Sequence, residues 1–325
     1  MKKKLIYIAI PVLLASFAFG LISTQTSQRA EEKHPVVLSM TKSVDVPDKI
    51  EFAGEELALD RYDFHERFDR EINSFTYWHS TTMMLIKKAN RYFPIIVPIL
   101  KENGVPEDFK YLAVIESNLN HRAVSPAGAA GLWQFMKTTA PSYGLTVSSE
   151  VDERYSVEKS TQAACKYFLE AYEKYGSWAD VALSYNAGQG RITTEKSKQK
   201  ADSGLDLWVV DETSRYYFRM LAAKTVMENP YKYGFVIESH QLYKPMEFEK
   251  VEMKETIADL AAFAKEKGVT YAQLKDFNSW LRDRKLTITE KNKGKYTILI
   301  PTKQSLYYKK GDKINVYDNR WVTRD

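Results

Sequence analysis

Glu116 occupies an unusual position for a charged residue. Phe109, Leu112, Ala113 and Glu116 stand at i, i+3, i+4 and i+7, one face of a helix opened by Pro106, so a carboxylate shares an apolar stripe while Lys110 falls opposite. Burial disfavours the charged form of a carboxyl and raises its pKa, which makes Glu116 a candidate general acid near neutral pH. A salt-bridged glutamate at a helix end fits the same spacing, and the spacing alone does not choose between them. The second segment runs from Ser125 to Met136. Its glycines and alanines let backbone approach backbone or ligand closely, and Trp133 beside Gln134 offers a flat apolar face next to amide groups, a pairing suited to a sugar. A small-residue loop entering a core helix is the plainer alternative. In the third segment Tyr185 closes the stripe Trp178, Val181, Ala182 and is followed by Asn186-Ala187-Gly188-Gln189-Gly190, a turn-rich run that would hold the phenol and the amide at a helix C-terminus.

Helices must position these groups. The 325 residues predict about two domains, or one large domain with an appendage. From Leu57 to Lys101 the pattern is helical, with Phe64, Phe68, Ile72 and Phe75 on one stripe and a second apolar segment, Met84 to Leu100, broken by Pro94 and Pro98. Ala164, Tyr167, Phe168, Ala171 and Tyr175 form a stripe ended by Gly176; residues 196–204 read as a polar loop; Glu212 to Met227 is a helix with Tyr216, Met220, Ala223 and Met227 on one face. Past Pro245 the order is a strand at Phe248 and Val251, helices over Thr256–Lys267 and Tyr271–Phe277, and a strand over Tyr296–Ile300. The last two dozen residues are polar and basic with four aromatics, and no role can be read from them.

Composition narrows the class further. With 44% hydrophobic and 27% charged residues the chain is an ordinary globular protein. Cys165 is the single cysteine, which rules out an intramolecular disulfide and argues against zinc; no metal and no cofactor are expected. Of the net charge of +5, Lys2, Lys3 and Lys4 supply three, and the remaining charges are interleaved, so nucleic acid is not an expected partner. Those lysines precede an uncharged, mostly apolar run over residues 5–22. Its length fits a signal peptide or an N-terminal membrane anchor, and either places the rest of the chain in the periplasm or cell envelope. No cysteine lies near the leader, so a lipoprotein is not expected.

Four ordered segments together carry a resemblance. Glu116-Ser117, the run Ser125 to Met136, Tyr185-Asn186-Ala187-Gly188 and Glu212-Thr213-x-x-Tyr216 resemble the soluble-lytic-transglycosylase family of peptidoglycan enzymes. The likeness covers roughly residues 50–235. It implies a mainly α fold with a lysozyme-like, goose-type catalytic domain, Glu116 as catalytic acid and base, Ser117, Ser125, Gln134, Tyr185 and Asn186 along a glycan cleft, and Tyr216 supporting the site. The C-terminal unit is similar to a LysM domain, a small α+β module of order βααβ, through Thr256-Ile257, Leu260, Gly268-Val269, Leu274, Asn278 and Ile300-Pro301. Lys254-Glu255 stands where that domain usually has Gly-Asp, so this module either binds glycan or only keeps the shape. The expected organisation is a leader over 1–23, a linker over 24–50, the catalytic domain over 51–245, the LysM-like module over 246–302 and a tail over 303–325.

The implied partner is a peptidoglycan glycan strand, with protein partners unknown. Most glycosidases use a second carboxylate, and none lies in the first three segments. That favours an intramolecular route, and the resemblance implies one: the N-acetyl group of N-acetylmuramic acid assists bond cleavage and Glu116 then deprotonates the C6 hydroxyl, giving a 1,6-anhydro ring. A goose-type hydrolase that uses water, and a non-catalytic wall-binding protein, are the alternatives. Deleting residues 246–325 is expected to weaken retention on sacculi more than cleavage of a short soluble glycan.

Overall fold

The computed structural model describes residues 41–309 and 311–323. The leader and most of the 24–50 stretch lie outside the described residues. Among the described residues no helix is long and apolar enough to cross a membrane.

An antiparallel hairpin that the sequence pattern did not show opens the fold. Strand β1 (Lys49–Phe52) pairs with β2 (Glu55–Ala58) through a two-residue turn in which Ala53 and Gly54 both have positive φ, 57° and 81°. A turn of that hand matches strand twist, but alanine is not its usual residue. Val44, Val46 and Ile50 already pack against the main core, within the stretch read as linker. The Glu55 carboxylate accepts from the backbone N–H of Trp178 at 2.7 Å and of Ala179 at 3.3 Å, satisfying free donors at a helix start.

Helices α1 (Tyr62–Tyr77) and α2 (His79–Glu102) follow. Pro94 and Pro98 do not break α2. They stand four apart, outside the buried row Phe93, Ile96, Val97 and Leu100, and burial of that row outweighs the lost backbone donors. A 3₁₀ turn over Glu107–Phe109 leads into the short α3 (Lys110–Ser117), which is enclosed on nearly every side. Its supposed solvent face is buried too. Lys110 is only 7% exposed, its ammonium lies over the rings of Phe93 and Tyr111, and burial lowers its pKa.

Helix α4 (Val157–Tyr175) ends at Gly176 as expected, and α5 (Trp178–Ala187) carries Tyr185 in its last turn. The chain then re-enters a helix at once: α6 (Gln189–Gln199) takes up part of the segment read as polar loop, and it buries only Ile192, which leaves almost no apolar stripe to read. Helix α7 (Asp211–Glu228) packs its Tyr216, Met220, Ala223 and Met227 into the same core.

In the C-terminal unit β3 (Phe248–Glu252) pairs antiparallel with β4 (Thr297–Pro301), Phe248 opposite Pro301 and Glu252 opposite Thr297. Helices α8 (Leu260–Glu266) and α9 (Tyr271–Phe277) lie between them in the chain, giving the expected βααβ order. Helix α8 starts four residues later than Thr256. Ile257 exchanges two 2.9 Å backbone bonds with Leu286, and Asp259 caps the helix by accepting from Ala261 and Ala262. A single turn, α10 (Lys303–Leu306), leads into the tail.

The tail is part of the main helical core. Ile314 and Trp321 belong to that cluster, the Trp321 ring sits 5.9 Å from Phe93, and Asn90 bonds the backbones of Asn315 and Tyr317 at 3.0 and 2.8 Å. The module's own core likewise contains Ala130, Val151 and Tyr155 from the helical part of the chain.

Candidate functional site

The site is built where α3 ends against α7. Asn118 and Leu119 both adopt left-handed backbone, φ 52° and 50°, and the Asn118 N–H closes the helix on the Val114 carbonyl at 3.0 Å. Glu116 therefore lies in the final turn, where the carbonyl end of the helix disfavours negative charge. Its carboxyl pKa is pushed up to about 7, first by burial and slightly by the Glu212 carboxylate, against the Tyr216 hydrogen bond and the Arg219 charge, which lower it. Glu212 is exposed in the first turn of α7 and is, among the described residues, the one further carboxylate whose charge acts on Glu116.

Tyr216 is 2% exposed, and its hydroxyl donates to Glu116 Oε1 in a short hydrogen bond. Burial and the neighbouring carboxylate raise its pKa, so it remains a donor at any working pH. Tyr185 feels the Glu116 charge as well; its ring packs 5.3 Å from Phe168 and its hydroxyl donates to the Trp133 carbonyl at 2.7 Å. Asn186 accepts from the Thr213 hydroxyl at 2.8 Å, one turn before Tyr216 on α7. Glu116, Tyr216, Tyr185 and Asn186 are thus brought together, and the Tyr185 bond joins them to the segment that carries Gln134.

That segment is a chain of turns and does not enter a helix. Gln134 has φ 51° and donates through Nε2 to the Gly131 carbonyl at 2.7 Å. Ser125 Oγ accepts from the Ala129 N–H at 3.0 Å, which leaves its own proton to donate. Trp133 does not present a sugar-binding face. It is fully buried, with its indole N–H on Thr161 Oγ1 at 2.9 Å, because a large apolar ring next to Phe168 stabilises the core more than an open cleft could. Ser117 is turned away: it is buried and its hydroxyl is committed to the Ala113 carbonyl of its own helix at 3.1 Å.

Arg219 was not legible as a site group, nor was the pair behind it. Glu71 on α1, buried, binds Arg215 at 2.5 Å and lies 3.7 Å from Arg219. Arg219 stands three residues after Tyr216, the spacing that places both on one side of α7, and that is the signal that could have found it. Two concavities of about 820 and 440 Å³ lie elsewhere and are not lined by Glu116.

The chain is similar to known proteins in two segments. Residues 93–207 match the family model described as Transglycosylase SLT domain, which spans Glu116, Ser125, Gln134, Tyr185 and Asn186 and stops short of Tyr216. Residues 249–304 match the Soluble lytic transglycosylase C-terminal LysM-like domain. The chain is 28% identical over 268 residues to membrane-bound lytic murein transglycosylase D of Escherichia coli (strain K12), covering 78% of this chain and 56% of the relative. It therefore spans little more than half the length of that relative. It is also 34% identical over 122 residues to the peptidoglycan transglycosylase gp16 of Escherichia phage T7, covering 37% of this chain and 9% of that one. Among solved structures, the 70 kDa soluble lytic transglycosylase SLT70 of Escherichia coli aligns with a TM-score of 0.37 and 22% identity, over 42% of this chain and 24% of that chain. The chain thus carries a transglycosylase SLT domain, followed by a soluble lytic transglycosylase C-terminal LysM-like domain.

Proposed function

We propose that the protein is a peptidoglycan lytic transglycosylase, a lyase that cleaves the β-1,4 bond between N-acetylmuramic acid and N-acetylglucosamine. The observation that carries the reading is the half-buried carboxyl of Glu116, its pKa pushed up to about 7 chiefly by burial, with a fixed hydroxyl on one of its oxygens. Tyr216 donates to Oε1, which leaves Oε2 to carry the acid proton for the leaving oxygen. Transfer of that proton releases O4 of N-acetylglucosamine as a hydroxyl while the acetamido oxygen of N-acetylmuramic acid closes on C1. The Glu116 carboxylate, now stabilised by the Tyr216 O–H, takes the proton of the C6 hydroxyl. O6 then displaces the acetamido oxygen at C1, the 1,6-anhydro ring forms, and Glu116 is protonated again without consumption of water.

In this reading Ser125, Gln134, Tyr185 and Asn186 line the glycan, and Ser117 serves the helix rather than the substrate. The enzyme works in the cell envelope on the periplasmic side, carried there by the leader, and Cys165, fully buried, cannot take a lipid. Glu116→Gln tests the assignment on purified peptidoglycan. Glycan binding is retained and cleavage is lost, by at least the roughly 10²- to 10⁴-fold that a positioned acid and base contributes; undiminished turnover by the variant would overturn it.

A further inference from the structure

The segment that carries Ser125 and Gln134 has little regular structure of its own, yet its backbone is held at two carbonyls by one buried side chain. Arg154 donates through Nη1 to the Gly128 and Phe135 carbonyls, both at 3.0 Å. Its remaining nitrogens grip Asp152, Nε to Oδ1 at 2.9 Å and Nη2 to Oδ2 at 2.7 Å, and both residues are buried. A bidentate pair of this kind fixes the orientation of the guanidinium as well as its place. Gly131 sits directly against the Arg154 carbonyl, where a Cβ would come within 1.8 Å of the oxygen.

Asp152 in turn is seated on the C-terminal module. Its N–H donates to the Trp280 carbonyl at 2.8 Å, Arg282 N–H donates to the Glu150 carbonyl at 2.7 Å, and Val151 bridges Leu281. The Glu150 carboxylate accepts from Thr287 N at 2.9 Å and Oγ1 at 3.1 Å and pairs with Lys285 at 3.2 Å. On the other side of the same segment His121 Nε2 donates to the Asp276 carbonyl of α9 at 2.9 Å, Tyr92 donates to its Nδ1 at 2.8 Å, and Arg122 pairs with the Asp276 carboxylate at 3.2 Å. The chain from His121 to Phe135 is thus tied to the module at both ends.

We propose that the C-terminal module is a positioning element of the cleft, holding the backbone of residues 128–135, and with it Ser125 and Gln134, through Asp152 and Arg154. The inference rests on the reading of this segment as the glycan-binding wall. It gives the module a task in catalysis that does not depend on its binding glycan itself.

The test uses the full chain with two variants. Arg154→Lys keeps the charge beside Asp152 but cannot hold two carbonyls and a carboxylate at once; Glu150→Ala cuts a tie on the module side at a partly exposed position. Hydrogen exchange over residues 123–136 is expected to quicken about 10-fold or more in Arg154→Lys, the loss of one charge-assisted bond, and by about 3-fold or more in Glu150→Ala. KM for a soluble glycan is expected to rise in step in both, while kcat and the alkaline limb of its pH profile, which report Glu116, change by less than about 3-fold. Unchanged exchange and KM in both variants would overturn the proposal. Change in Arg154→Lys alone would overturn the part played by the module, and quicker exchange without a rise in KM would overturn the link to substrate. If Arg154→Lys does not fold, Glu150→Ala decides by the same readings. A wild type that cleaves no glycan would refute the proposed function, and exchange would still judge the mechanical claim.

Discussion

A carboxyl with a pKa of about 7 in the folded chain and about 4.5 in the unfolded one makes stability and activity depend on pH in linked ways. Between those values the unfolded chain has released the proton that the folded chain keeps, so stability falls as pH rises through this window and the full loss is present above it. Glu116→Gln removes the titration, and the variant should be more stable than wild type at pH 8, by about 3 kcal/mol, with the difference closing towards pH 4; urea midpoints at the two pH values measure it. Activity needs the protonated form, so kcat/KM should be level on the acid side and fall tenfold per unit above pH 7. Tyr216→Phe removes the hydrogen bond that holds the pKa down, so the falling limb should move to higher pH while kcat drops, because the carboxylate formed in the first step loses its donor. A limb that stays in place would mean that Glu116 does not govern it.

The turn-built segment after α3 depends on backbone conformations that side chains disfavour. Gly131→Ala would place a Cβ at φ 81° against the Arg154 carbonyl, and thermal unfolding should show a loss of at least about 2 kcal/mol together with most of the activity. A fully stable, active alanine variant would show that the segment can relax without consequence. This is also where reading the sequence reached its limit. The stripe Phe109, Leu112, Ala113 located Glu116, and helix periodicity found α1 and α4, each with one face in water and one in the core, and also α5 and α7, whose apolar stripes are readable although almost nothing of either helix is exposed. It misjudged α3, where Lys110 suggests a solvent face that packing buries under aromatic rings, and α6, which buries only Ile192 and so shows no apolar stripe. Trp133 suits a sugar by residue type, which records what a side chain can do, while the direction in which it points is set by tertiary packing, and packing buries its ring. Arg154 was invisible for a related reason: its two carbonyl partners lie 26 and 19 residues away with no side-chain signature.

Across the molecule the C-terminal segments share their cores with the helical part of the chain, and the expected effect of removing them changes. Truncation after residue 245 strips Ile314 and Trp321 from the main core and exposes Ala130, Val151 and Tyr155. The truncated chain should lose several kcal/mol of stability, at roughly 1.5–3 kcal/mol per large apolar side chain exposed, and cleavage of soluble glycan should fail along with retention on sacculi. Survival of cleavage with only retention lost would restore the view of the module as a tether. The sequence pattern found this unit's strands and helices, yet gave no sign of the shared core, since nothing around Ala130 or Val151 marks a partner so far along the chain. The central claim, that one glutamate performs both steps without water, is tested most directly by mass spectrometry of the muropeptides released from purified peptidoglycan by the wild type and by Glu116→Gln. The account predicts wild-type products ending in 1,6-anhydro-N-acetylmuramic acid, about 18 Da lighter than hydrolytic ones, and none from the variant. Reducing-end products from the wild type would contradict it and point to a hydrolase with a further base.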